Sequence, residues 1–443
     1  MELRDLIVTP FVILLVYGIA YTIRSRVTDD INRVYFIPAL TVKIIGALAV
    51  GFIYQFYYDG GDTFNYHTYG SRVIWDAFVD SPAKGIKLII NNGTDYANVY
   101  PYASRIIFFT DPSSYMVVKI AAILDLFTFS SYTATAVLFA IFSFIGMWMF
   151  FLTFYEQYPQ LHRWLAIASF FIPSVFFWGS GLLKDTITLG ALGIATYQLQ
   201  KMFIVGRRSF FNWLLLGLSL YLLYSIKVYI LLTFLPAAIL WIFLAKLESI
   251  RSTILKFMAF PFVFTAALAL GYFAMVKAGE DNEKYALASL GKTAQVTAYD
   301  IRYWTGRDAG SGYTLGELDG TFGSMLRLAP QAVNVTLFRP YLWEVNNPLM
   351  LMSALESFVL LCLCLFTLAK KNIWIFRTIG NPDIFFAVVF SLTFAFAVGV
   401  STFNFGTLVR YKIPLLPFLL VAIVVTLHQS KSETKLTELE TTE

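Results

Sequence analysis

Charge, sulfur and histidine are scarce in this chain of 443 residues: Asp, Glu, Lys and Arg make up 14% of it, beside two cysteines and three histidines. Cys362 and Cys364 stand two residues apart in the apolar run "LMLMSALESFVLLCLCLFTLA", where they project from different sides of a helix, so no disulfide scaffold holds the fold. The net charge of +5 is small and spread over loops, and no arginine stripe interleaved with aromatics occurs, which excludes a nucleic-acid surface. No internal repeat marks an inverted-repeat transporter. The glycine-rich stretch "TGRDAGSGYTLGELDGTFG" (305–323) lacks the Lys-Ser/Thr of a phosphate-binding loop and reads as a flap over substrate or a plain flexible loop.

What the chain has in excess is apolar surface, 58% of residues being hydrophobic and 18% aromatic at a mean hydropathy of +0.67. No soluble core of this length hides that much, so the expected class is an all-α polytopic membrane protein. Windows of about 20 apolar residues fall near 6–23, 36–57, 131–155, 164–178, 183–200, 211–225, 228–245, 257–276, 349–369, 384–400 and 411–428, giving eleven expected spans. Segment 114–129 is short and carries Lys119 and Asp125, and it reads as an interfacial helix. The basic segments "RSRVTDDINR", "EQYPQLHR", "KMFIVGRR", "AKLESIRSTILK", "AKKNIWIFR" and "HQSKSETK" then share one face, as the positive-inside rule requires. On that reading 1–428 form one membrane domain with the N-terminus outside, an uncleaved first span, and external loops 58–130 and 277–347 carrying interfacial helices. The acidic tail 429–443 is expected to be cytoplasmic and disordered.

The outer face collects the unusual residues. Lys184, Lys227, Arg410 and Lys412 all lie there against the positive-inside tendency, and a shared anionic ligand is the reading that unites them, with headgroup anchoring as the plain alternative. In "YYDGGDTFNYHTYG" (57–70), Asp59 and Asp62 flank a glycine pair at the end of the second span. Acids there oppose the dipole of that helix, which points to a purpose. A carboxylate ringed by Tyr57, Tyr58, Phe64, Tyr66 and Tyr69 suits a sugar hydroxyl, with the carboxylate as general base and the cations holding a phosphate leaving group. His67 is a further substrate candidate or, with Asp59 and Asp62, a metal ligand, and Arg302, Arg307 and Arg339 in the second loop suit a glycan or pyrophosphate.

The motifs "GGDTFNYH", "IPSVFFWGSGLLKDTI", "FRPYLWEVNNPLMLMSALE" and "RYKIPLLPFLL" resemble bacterial GT-C superfamily membrane glycosyltransferases of the dolichyl-phosphate-mannose mannosyltransferase-like kind, over most of 36–427. The resemblance implies a polyprenyl-phosphate-linked sugar donor, a glycan, lipid or protein acceptor, transfer on the extracytoplasmic side of the bacterial plasma membrane, and an aspartate of the first large loop as catalytic residue. Asp59 or Asp62 takes that role by position; Tyr66, Trp178, Glu344 and Tyr411 stand in the same motifs as substrate-binding candidates. In the superfamily the first large loop follows the first span, and here it follows the second. No cofactor is required by these motifs, and a divalent cation stays open. Two other function classes stand beside this one: a polysaccharide polymerase or O-antigen-ligase-like enzyme using lipid-pyrophosphate glycans, and a transporter or non-enzymatic envelope component.

The topology is testable by cysteine labelling. A single cysteine at residue 206 is expected to react only from the cytoplasm and one at residue 310 only from outside; reaction of both from one side removes the eleven-span arrangement.

Overall fold

The computed structural model describes residues 2–248, 312–316, 319–371 and 380–440, together with Thr265, Ala269, Val276, Lys292, 294–296 and Tyr299; at 248, 322 and 430–440 it describes the backbone alone. Among these residues every regular element is a helix, and the pair Gly312–Asn404 forms an isolated bridge. In chain order the helices are α1 (Leu3–Val27), α2 (Arg33–Phe56), α3 (Asp62–Tyr66), a π-helical turn (His67–Ser71), α4 (Arg72–Asp80), α5 (Pro82–Ile90), α6 (Tyr100–Ala103), α7 (Pro112–Thr128), α8 (Tyr132–Tyr155), α9 (His162–Phe170), α10 (Pro173–Trp178), α11 (Lys184–Leu199) and α12 (Phe210–Glu248). They continue with α13 (Phe322–Arg327), α14 (Ala329–Phe338), α15 (Pro348–Lys371), α16 (Pro382–Thr402), α17 (Phe405–Tyr411) and α18 (Leu415–Glu440), the last running on as helical backbone through 429–440.

Six of these helices, α1, α2, α8, α12, α15 and α16, are long and apolar enough to cross a membrane, and α17 with 415–429, bent by 63°, makes a seventh if the pair is one span. The chain is an integral membrane protein built of helices. Hydropathy windows that suggest eleven spans resolve differently where the backbone breaks. Window 164–178 is cut ahead of Pro173 into helices of nine and six residues, because proline removes a donor and displaces the preceding residue from helical geometry. Window 183–200 holds a helix of 16 residues, and 257–276 lies almost wholly outside the described residues. Windows 211–225 and 228–245 merge in α12, whose 39 residues would be about 58 Å long if straight, nearly twice a hydrocarbon core. Lys227, at φ −144° and ψ 75°, interrupts it at the place where the sequence suggests a break.

The chain packs as two compact units: Met1–Thr153, Ser169–Gln198 and Ser209–Lys227 form the first, and Phe154–Ala168, Leu199–Arg208 and Val228–Glu443 the second. The first is fastened by a buried lysine. Lys43 in α2, 1% exposed, donates from Nζ to Gly179 O at 2.8 Å, Ser143 Oγ at 3.0 Å and Val175 O at 3.3 Å. The sequence suggests that Lys43 snorkels to the inner face; instead it binds the carbonyls at the C-terminus of α10, which carry the negative end of the helix dipole. Small residues bring the backbones together around it. A Cβ at Gly46 would fall on the carbonyl oxygen of Phe176, and those at Gly146 and Gly193 on the facing carbonyls of Gly190 and Gly146, so α2 meets α10 and α8 meets α11 at backbone distance.

The second unit is centred on α16, against which α14 and α18 pack, with Gly399 directly opposite the Ala332 carbonyl. Trp241 stacks on Phe386 with ring centres 4.4 Å apart and planes 3° from parallel, and Phe234, Phe390 and Phe418 extend the cluster. At the start of α16 the buried Asp383 accepts from Trp241 Nε1 at 2.8 Å, Tyr158 OH at 2.9 Å and Gln157 Nε2 at 3.4 Å.

Replacing Lys43 with Met leaves Val175 O with the Gly179 N–H alone, at 3.2 Å, and Gly179 O with Ser143 alone, whose Oγ donates to it at 2.7 Å. The expected cost is about 2–4 kcal/mol, measured as a lowered unfolding midpoint of the purified protein in detergent. An unchanged midpoint would show that the contact contributes nothing.

Candidate functional site

The turn after α2 is set by three consecutive residues with positive φ, Asp59 at 52°, Gly60 at 128° and Gly61 at 118°. The Gly60 N–H reaches back to Tyr54 O at 2.9 Å, and a new helix starts at once with Asp62. This corrects the dipole argument made from the sequence. Because the chain reverses within the glycine pair, Asp62 occupies the first turn of the following helical run, where a carboxylate is favoured. Asp59 is exposed and Asp62 half-buried.

Lys184 opens α11 on the first unit, directly after the turn that Lys43 fastens. Its Nζ donates to Ser113 Oγ at 2.7 Å and lies 3.6 Å from Asp111 Oδ2. Among the carboxylates whose charges act on this ammonium Asp111 comes first, followed by Asp185 and then Asp62. Tyr54 stands edge-on to Trp178 at 6.4 Å and beside Tyr58 at 5.3 Å, giving the turn an aromatic wall, with Trp178 itself half-buried.

The other cations are engaged within the protein. Lys227 is buried and forms an ion pair with the buried Asp185, so it serves as a fixed counter-charge in the helix break and offers no open ammonium. Lys412, on the second unit, is equally buried, donates to Ser357 Oγ at 2.8 Å and feels the charge of Glu356. Arg410 and Tyr411 lie beside it in α17, both half-buried, with the Tyr411 ring 6.5 Å from that of Tyr229. Arg339 is held by Glu344, with Nε 3.1 Å from each carboxylate oxygen, and sits over Phe405 at 5.1 Å and Tyr313 at 5.9 Å. Both of these charges are therefore satisfied within the second unit. Arg302 and Arg307 lie outside the described residues.

His67 and Tyr66 are placed away from any open surface. Tyr66, 2% exposed, packs on Phe108 with ring centres 4.9 Å apart. His67 is wholly buried, its Nε2 3.6 Å from Asp125 Oδ1, and Asp125 accepts from Thr135 Oγ1 at 2.6 Å. Aromatic packing in the π-helical turn draws both inward, so the pairing of His67 with Asp59 and Asp62 as metal ligands does not form. Among the described residues no group of three or more His, Cys, Asp or Glu side chains is arranged for a metal ion.

Asp111 and Ser113 do not stand out in the sequence, although "DPSS" is a helix start of standard chemistry, an acceptor side chain followed by proline at the first helical position. Asp111 accepts from the Ser113 N–H at 3.1 Å and Ser113 Oγ at 2.9 Å, and from Ser114 Oγ. Burial is the largest single influence on its carboxyl and pushes it up, but the Ser114 bond, the Lys184 charge and the Ser113 bond together hold it below the ordinary carboxylate value. A group depressed in the folded state stabilises the fold above its unfolded value, about 3.9, and loses that contribution as pH falls through the folded value. The stability difference between the wild type and Asp111→Asn is therefore expected to be constant from about pH 5 to 7 and to shrink below about pH 4. Urea or thermal unfolding across that range checks it, and a gap that widens in acid would reverse the assignment.

No protein-family model matches the chain, and neither a curated protein nor a solved structure matches it.

Proposed function

We propose that this chain is a GT-C-like membrane glycosyltransferase that moves a sugar from a polyprenyl-phosphate donor to an envelope glycan, lipid or protein acceptor on the extracytoplasmic face of a bacterial plasma membrane. The observation that carries the proposal is Lys184, bonded to Ser113, 3.6 Å from Asp111 and acted on by the charges of Asp185 and Asp62, together with the aromatic group of Tyr54, Tyr58 and Trp178. In the proposed reaction the Asp62 carboxylate takes the proton of an acceptor hydroxyl, whose oxygen attacks the anomeric carbon. The bond from that carbon to the phosphate oxygen breaks, and polyprenyl phosphate leaves with the bonding electrons. Lys184 opposes the charge growing on the phosphate. Asp111 and Ser113 hold the Lys184 ammonium in position, and the aromatic faces receive the sugar ring. The expected topology, with the N-terminus outside and loops 58–130 and 277–347 on the same face, puts this site on the side where lipid-linked sugars are used.

A transporter is the second reading, favoured by buried charge that the sequence placed at helix ends: Lys43, the Asp185–Lys227 pair and Lys412. Turnover by the purified protein in micelles, where there are no two sides, separates the two.

A base acts chiefly in the transition state, so Asp62→Asn is expected to lower kcat by a factor on the order of 10² to 10⁴ with donor KM nearly unchanged. Asp59→Asn is expected to be milder, and Lys184→Ala to raise the donor KM. Near-normal transfer by the Asp59→Asn/Asp62→Asn double variant, assayed with lipid-phosphate sugar and normal membrane insertion, removes these carboxylates from the chemistry.

A further inference from the structure

The second unit contains a cavity of about 380 Å³ that the proposed reaction does not use, lined by residues of α9, α15 and α18. Its walls are apolar, among them Trp164, Leu363, Phe366 and Ile423, and its polar end is made by Lys370 and His428. Gln160 Nε2 lies 3.0 Å from His428 Nε2 at that end, and Lys370 Nζ sits 5.6 Å from the centre of the Phe366 ring. None of the residues lining the cavity is acidic.

Three of the basic segments that the positive-inside pattern assigned to one membrane face supply this polar end: "EQYPQLHR" gives Gln160, "AKKNIWIFR" gives Lys370 and "HQSKSETK" gives His428. They are far apart in the chain and meet at one cavity. Lys370 is in the last turn of α15, a helix long enough to cross the membrane, so the polar end is at the edge of the apolar layer and the walls run into it. Phe366 of α15 is 55% exposed, which in a membrane helix means exposed to acyl chains.

We propose that this cavity is a binding site for an anionic glycerophospholipid of the leaflet on that face, with the phosphate at Lys370 and His428 and one acyl chain along Phe366 and Ile423. The donors at the rim select the phosphate's charge, and the absence of any lining carboxylate leaves nothing to repel it. An apolar cavity with the exposed Phe366 of a membrane-spanning helix in its wall meets acyl chains, which commits the occupant to a membrane lipid over a soluble anion.

The test is native mass spectrometry of the full-length protein released from micelles holding equimolar phosphatidylglycerol and phosphatidylcholine. The wild type is expected to retain phosphatidylglycerol preferentially. Lys370→Gln should lower that preference about fivefold, the effect of one cation near a membrane surface, while Lys370→Arg keeps it. Ile423→Trp should reduce retention of both lipids by filling the cavity. Equal retention of the two lipids by the wild type, or an unchanged preference in Lys370→Gln/His428→Ala, overturns the proposal. Inorganic phosphate that displaces the retained lipid overturns it too, since the site would then take a free anion; this competition uses wild-type protein and decides the matter even if a variant does not fold.

Discussion

A lysine ammonium buried among apolar helices must be surrounded by acceptors, and Lys43 finds them at the C-terminal end of α10, in the carbonyls of Val175 and Gly179. Each side of this contact answers a need of the other: the cation has lost its water, and the helix end carries the negative end of a dipole. The turn 179–183 is held in consequence, and with it the position of Lys184 and Asp185 at the head of α11. Glycines on α2, α8 and α11 are required by the same arrangement, because the backbones approach too closely for any side chain at those points. Lys184 is thus held from two sides, by the helix contact behind its turn and by Asp111 and Ser113 of the loop that also carries Asp62.

The helical membrane class was legible in the sequence because apolar excess leaves few other solutions. The break at Lys227 was legible too, since a lysine inside a long apolar run demands one. Span count was less so. A hydropathy window averages over Pro173 and cannot see that the helix restarts there, and it counts the apolar flanks of short helices such as α9 and α10 as if they were continuous. In the site, the glycine turn and the mark of Lys184 were readable, whereas the fates of Lys227 and Lys412 were not. Both look like open cations in sequence, and only tertiary packing shows the partners Asp185 and Ser357 that occupy them. His67 was misjudged for the same reason: the residues that bury it come from α7 and α8, more than fifty positions away.

Charge in the first unit is used in layers. Deepest are paired or fully bonded groups, Lys43 with its carbonyls and Lys227 with Asp185, which fix helix breaks. Nearer the surface, Lys184 bonds to Ser113 and pairs at 3.6 Å with Asp111, whose carboxylate is half-exposed. A group held in that way can exchange one anionic partner for another at modest cost, whereas the Lys227 pair cannot, since removing either member would leave a buried charge uncompensated.

The Asp185–Lys227 pair also bears on the order in which the chain is made. Asp185 precedes Lys227 by 42 residues, so during synthesis the carboxylate leaves the ribosome before its cation exists. Asp185 stands in the first turn of α11 and is 1% exposed once folded, so its burial waits for that cation. Lys184 is no substitute, because neighbouring residues of one helix do not face each other, and the pair closes only when α12 reaches α11.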